Sequence, residues 1–249
     1  MFQGYYSLAS AMISQNRNLN VISNNMANVS TPGYKSDQYI ASTFKEEVLY
    51  RSGNITPDRK TSIGTTARIQ ATNARITSYE QGALDPTGSA LDLAINGDGF
   101  FTVQTEDGIV YSRNGSLITD DEGYLAIPGV GRILGNNGAI RLDTDDIIIN
   151  EDGSIWGKEN GTNYGTIRLT NFTDYSQIIK GDNGTFTQGE ATEAQPNAVI
   201  KQGMVERSNS NMVDEMTSMM SAQRSLQAAA QLFKMYDQLD AKTAQIAQV

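Results

Sequence analysis

The two ends of this 249-residue chain carry the same helical pattern, and the long stretch between them does not. From Tyr5 the larger apolar residues advance in alternating steps of three and four, through Leu8, Met12, Leu19, Ile22, Met26 and Val29, with Gln15 the polar member of the series. That spacing is a heptad-like stripe along one face of a helix. Thr31-Pro32-Gly33 ends it, because proline disfavours helix at the residue before it and glycine supplies a turn; the helix is predicted to stop near Asn28.

The C-terminal stretch follows the same design. It starts after Ser208-Asn209-Ser210-Asn211, whose polar side chains can cap the first free backbone N–H groups. Met212, Met216, Met219, Gln223, Leu226, Ala230 and Phe233 form one stripe. Leu232, Tyr236, Leu239, Thr243 and Ile246 form a second, rotated by about 100°. Two apolar faces suit contacts with more than one helix, and spacing alone fits the core of an ordinary four-helix domain equally well.

Between the ends the texture is β. Leu91, Leu93 and Ile95 alternate with polar or small residues before Asn96-Gly97-Asp98-Gly99, and Phe100 to Val103 resumes the strand. Turns at Asp107-Gly108, Asn114-Gly115, Glu122-Gly123, Asn136-Asn137-Gly138 and Asp152-Gly153 punctuate short apolar runs, the pattern of a sandwich or barrel-like domain. Residues 36–80 fit neither texture. Phe44 to Tyr50 suits a short helix or strand and Arg51 to Thr66 is polar and turn-rich, so the segment is expected to be an extended connector.

Composition closes several chemistries. With neither cysteine nor histidine, the chain has no disulfide, thiolate nucleophile, imidazole base or zinc site of Cys/His type. A net charge of −9 without a basic cluster argues against a nucleic-acid partner, whose affinity rests on clustered Lys and Arg. Asp143, Asp145 and Asp146 begin like a calcium loop, but Ile147 holds the fifth position and the sixth lacks glycine. Gly129 to Gly135 misses the dinucleotide fingerprint by one residue. No catalytic residue, cofactor, metal or small-molecule substrate is expected, and the chain is read as no enzyme. The N-terminus lacks a basic region and an unbroken apolar run, so any export is expected to proceed without a cleaved signal.

Three motifs carry a family resemblance. Val21-Ile22-Ser23-Asn24-Asn25-Met26-Ala27-Asn28-Val29-Ser30-Thr31-Pro32-Gly33-Tyr34-Lys35 resembles the N-terminal signature of the flagellar rod, hook and hook-associated proteins. Asn96-Gly97-Asp98-Gly99-Phe100-Phe101, followed by Tyr111 to Ser116, is similar to the start of that family's central domain. Gln202-Gly203 to Glu206, then Ser208-Asn209-Ser210-Asn211-Met212 to Met216, resembles its C-terminal segment. Within the family, Phe44 to Tyr50, the Ile63-Gly64-Thr65 step and a β-domain without a large insertion are most like the distal rod type, ahead of proximal rod and hook types.

The resemblance implies an α+β subunit of the flagellar basal body, exported by the flagellar type III apparatus. It polymerises into a helical tube with copies of itself and with other rod and hook subunits. The expected organisation is an N-terminal helix of the polymerising core over 1–35, the connector over 36–80, a central all-β domain over 81–205 and a C-terminal helix over 206–249, the terminal helices pairing as a coiled-coil-like bundle. Assembly contacts are expected at Leu8, Met12, Leu19, Ile22, Met26, Met212, Met216, Met219, Leu226, Phe233 and Leu239. Motif positions are Asn24, Asn25, Ala27, Asn28, Pro32, Gly33, Gly99, Phe100, Ser208, Asn209 and Asn211. The Asn24, Asn25 and Asn28 amides can hold the helix end to the connector or merely cap and turn. A competing reading, a secreted carbohydrate-binding β-module, requires an aromatic platform from Trp156, Tyr164, Phe172 and Tyr175.

Overall fold

The computed structural model describes residues 2–43, 46–51, 61–67, 70–144, 146–159 and 161–246. The chain divides into two compact units, one made of Met1–Met26, Asp37–Ile76 and Met212–Val249, the other of Ala27–Ser36 and Thr77–Asn211.

The first unit holds both helices, α1 (Phe2–Ala27) and α2 (Met212–Ile246). α1 ends immediately before Asn28, where a turn begins: Thr31 donates its backbone N–H to the Asn28 carbonyl at 3.1 Å and its hydroxyl to Asn28 Oδ1 at 3.2 Å. The segment expected as an extended connector holds strands. β1 (Asp37–Thr43) pairs with β4 (Gln70–Thr77), and β2 (Glu46–Arg51) pairs antiparallel with β3 (Thr61–Ala67) in the register Val48↔Thr65. Its strands are rich in Thr and Ser, which favour extended backbone without marking a buried face. Phe44, and residues 52–60 of the turn-rich stretch, lie outside the described residues. Among the described residues no helix is long and apolar enough to cross a membrane.

The second unit is β. Its strands begin with β5 (Leu84–Pro86), β6 (Leu93–Asp98), β7 (Phe100–Thr105) and β8 (Gly108–Ser112). A 10-stranded sheet is organised on β7, which pairs antiparallel with β8 (Val103↔Val110), with Gly131–Gly135 (Val103↔Ile133) and with Leu169–Phe172 (Phe101↔Leu169). β6 pairs with Asn197–Gln202 and β5 with Met204–Glu206. Of the expected turn glycines, Gly108, Gly123, Gly138 and Gly153 take positive φ, whereas Gly115 does not and is packed against the backbone of Leu93, where a Cβ would lie 1.6 Å from the carbonyl oxygen.

Alternation along β7 sorts its side chains onto two cores. Phe101 and Val103 enter a cluster with Leu93, Leu125, Ile133, Ile155 and Ile200, while Phe100 points the other way, into a cluster with Tyr111, Phe172, Ile178 and Phe186. A strand covered on both faces carries apolar residues on both, as Phe100, Phe101 and Val103 do, while buried Thr102 satisfies its hydroxyl against Thr170 at 3.0 Å. Tyr79 and Tyr175 stack on the aromatic cluster, their ring centroids 5.0 Å apart.

Candidate functional site

The residues that follow α1 and precede α2 are built into the β unit at one buried cluster. Glu206, the last residue of its strand, is only 1% exposed. Its Oε1 accepts hydrogen bonds from Lys35 Nζ at 2.7 Å and Gly82 N at 2.9 Å, and its Oε2 accepts one from Arg113 Nη1 at 3.3 Å. Its backbone carbonyl accepts from Gly33 N at 2.7 Å. Lys35 Nζ also donates to the Glu80 carbonyl, and Arg113 Nη2 to the Gly97 carbonyl. All three motifs thus meet here: Gly33 and Lys35 from the first, Gly97 and Arg113 from the second, Glu206 from the third.

Two cations share one carboxylate in this cluster. Burial pulls the Lys35 amine below the usual lysine range; the Glu206 charge and hydrogen bond oppose that pull, and the Arg113 charge adds to it. Such an arrangement holds geometry more than it adds stability, since desolvation offsets much of the Coulomb attraction.

Backbone fit completes the junction. Gly33 adopts φ +68°, and a Cβ there would lie 2.3 Å from the Arg113 carbonyl carbon, so only glycine lets the two chains approach. Asn209 fastens the next residues: its Oδ1 accepts from Ser36 N at 2.7 Å, its Nδ2 donates to the Ser78 carbonyl at 2.9 Å, and its own N–H reaches the Tyr34 carbonyl. Ser208 is buried and its Oγ accepts from Ser210 N. Pro32 is half-buried beside Gly33, and Asn211 is exposed.

Within the helical unit a second node sits at Asn25, 3% exposed. Its amide pairs with the backbone of Asp37 in both directions, Nδ2 to the carbonyl at 2.9 Å and Asp37 N to Oδ1 at 3.0 Å, and Nδ2 also reaches Glu215 Oε1 at 2.9 Å. One side chain therefore ties the last turn of α1, the start of β1 and the first turn of α2. Asn24 and Ala27 are exposed. The asparagine that holds the connector is thus Asn25, while Asn28 serves the turn.

The two helices run past each other in opposite directions, with Tyr5 meeting Phe233 at one end and Asn25 meeting Glu215 at the other. Tyr5 and Phe233 bring their ring centroids to 4.5 Å, and a Cβ on Gly4 would lie 3.0 Å from the Tyr236 hydroxyl. Midway, Met12, Ile13, Asn16 and Arg17 with Leu226, Gln227 and Ala230 line an open groove of about 630 Å³. Ile22 is buried, and Leu8, Met12, Leu19 and Met26 are half-buried. On α2 the half-buried series is Glu215, Met219, Leu226, Phe233 and Tyr236 around buried Ala222, so Ala222 takes the place expected for Gln223. Met212, Val213, Met216 and Met220, then Leu232, Met235 and Leu239, remain exposed.

The aromatic platform required by a sugar-binding module is not assembled. Phe172 is 2% exposed in the aromatic core with Tyr175 packed on that core, whereas Tyr164 packs against the other core and Trp156 is exposed. Asp146 is engaged by Lys158, and Asp145 lies outside the described residues. Among the described residues no group of three or more His, Cys, Asp or Glu is placed to hold a metal ion. Gly99 is buried and Phe100 lies in the aromatic core, so both motif positions serve the fold.

A β-domain that holds the segment following α1 and the segment preceding α2 at one buried junction defines a structural module. Comparison with known families matches this chain to the flagella basal body rod protein model over residues 6–35, to the flagellar hook protein FlgE/F/G D1 domain over 94–157 and to the flagellar basal body rod FlgEFG protein C-terminal model over 201–246. It is 32% identical to the flagellar basal-body rod protein FlgG of Bacillus subtilis, with 96% of this chain and 97% of that one covered. It is 32% identical to the FlgG protein of Buchnera aphidicola subsp. Schizaphis graminum, covering 94% and 95%. It is 28% identical to the flagellar basal-body rod protein FlgF of Caulobacter vibrioides, covering 93% and 92%. The chain belongs to the flagellar basal-body rod protein family.

Proposed function

We propose that this chain is a structural subunit of the basal-body rod, of the distal type, and that copies of it polymerise through α1 and α2. The observation that carries this reading is the exposure of apolar side chains along α2, with Met216 at 46%, Met220 at 52%, Met235 at 57% and Leu239 at 56%. Large exposed apolar surface on a soluble chain marks a contact surface, and a contact between unlike faces of copies generates an open helical polymer. In the polymer the two helices pair as a coiled-coil-like bundle and their remaining apolar positions meet neighbouring copies. The rod and hook subunits are the partners that the family suggests, and export by the type III route accords with the interrupted N-terminal sequence. The distal assignment rests on the sequence features of residues 44–65 and on relatives named FlgG being 32% identical against 28% for a FlgF protein. No catalytic role is proposed.

The test replaces Met216 and Leu239 with Asp together. Both side chains are exposed in the single chain, so its thermal melt should hold while pelleting of polymer in sedimentation is lost. Unchanged pelleting overturns the assignment of this surface.

A further inference from the structure

We infer that Glu206 is a positioning residue that decides whether the segment after α1 docks on the β unit, making attachment of the N-terminal segment conditional on the C-terminal one. Residues 33–36 bond to 206–209 and to the strap at 78–80. Gly33 N, Lys35 Nζ, Ser36 N and the Tyr34 carbonyl all bond to Glu206 or Asn209. The Ser36 carbonyl accepts from Ser78 N and Lys35 Nζ reaches the Glu80 carbonyl, while Asn209 Nδ2 fastens that strap through both the Ser78 and Glu80 carbonyls. Lys180 adds contacts from elsewhere in the β unit: its Nζ donates to the Lys35 carbonyl at 2.6 Å and lies 4.1 Å from the centroid of the Tyr34 ring.

Charge makes the dependence asymmetric. Lys35 and Arg113 are 1% and 4% exposed, and Glu206 is the carboxylate that both contact. With Lys35 removed, Arg113 and Glu206 remain as a neutral pair. With the Glu206 charge removed, two cations are left buried together, which is strongly unfavourable. Arg113 directly follows β8 in the folded domain, stacks on Phe100 at 5.2 Å and bonds the Gly97 carbonyl, so it stays. Lys35 belongs to a short segment outside the strands, and it leaves, taking residues 33–36 with it.

The consequence is a suppressor relationship that a plain packing role does not give. In the full chain, hydrogen exchange of the Gly33 and Ser36 amides reports docking, and the Leu125 and Ile133 amides report the β core. Glu206→Gln should speed exchange at Gly33 and Ser36 on the order of a hundredfold and leave the core amides unchanged. Lys35→Met alone should speed it by much less. Adding Lys35→Met to Glu206→Gln should restore much of the lost protection, because the cation that has to leave is gone. Additive loss in the double variant, or equal loosening of core and segment in Glu206→Gln, overturns the inference. If Glu206→Gln alone does not yield folded protein, recovery of folded protein in the Glu206→Gln, Lys35→Met double variant is the expected suppression, and failure of that double variant to fold overturns the inference.

Discussion

The helical and β units solve the burial of apolar residues in opposite ways. In the β unit Leu93, Phe101, Val103, Leu125, Ile133 and Ile155 are at most 1% exposed. In the helical unit Ile22 and Ala222 are the buried apolar residues of the two helices, and much of the apolar surface of α2 still faces solvent. Charge divides the same way: the β unit holds nine of the 19 Lys and Arg but 20 of the 28 Asp and Glu, so it carries −11 and the helical unit +2. An acidic surface repels its copies and stays soluble, while a nearly neutral apolar one does not. One half is finished as a monomer and the other is not.

The largest expected effect lies in the finished half. Leu125→Ala, at a fully buried position, should cost about 2–5 kcal/mol in denaturant unfolding followed by near-UV circular dichroism. A loss as small as that of a surface change would erase the contrast between the units. At the junction, Gly33→Ala should cost at least about 1–2 kcal/mol from the left-handed backbone alone, with a further loss from contact with the Arg113 backbone, readable as a lower melting temperature.

In the unfinished half the expected losses are smaller. Asn25→Ala leaves the Asp37 N–H and carbonyl without the partner that the amide supplies, so about 1–3 kcal/mol should be lost locally. Faster hydrogen exchange of the Asp37 amide checks it, with β-core amides as the control. Met216→Ser, at an exposed position, should change the monomer by no more than about 0.5 kcal/mol, and a larger loss would show that this face is already packed.

Acid sharpens the comparison from the other side. Asp120 is held below the usual carboxylate range by the Tyr124 backbone N–H first and Arg132 next, and Asp152 and Asp174 by hydrogen bonds from Ser154 and Ser176. A carboxyl whose folded pKa is depressed contributes stability above its unfolded value of 3.8, and that contribution is lost as pH falls through the folded value. The three aspartates lie in the β unit, so its melting temperature should decline below pH 3.8 in an acid series. Asp120→Asn should flatten part of that decline.

Local signals were readable and distant ones were not. Thr31-Pro32-Gly33 marks the end of α1 because proline and glycine act on their own neighbours. Asp107-Gly108 and Asp152-Gly153 mark turns for the same reason. Lys35 and Glu206 look like ordinary surface charges in the chain, and nothing at either position announces a partner 171 residues away. Pairing of β1 with β4 and β2 with β3 was equally silent, since the Thr residues of β1, β3 and β4 mark no apolar alternation and the short run Val48-Leu49-Tyr50 in β2 suits helix or strand alike. On α2 the choice between Ala222 and Gln223 turned on small residues, where a helix can approach closely without a large side chain to advertise it.

The bond between Asn25 and Glu215 spans 190 residues. Contacts so distant along the chain close last, because the intervening loop must first be ordered. A ribosome releases α1 long before Glu215 exists. Asn25 can pair with Asp37 early, but the clock for its bond to α2 is set by the arrival of the other end.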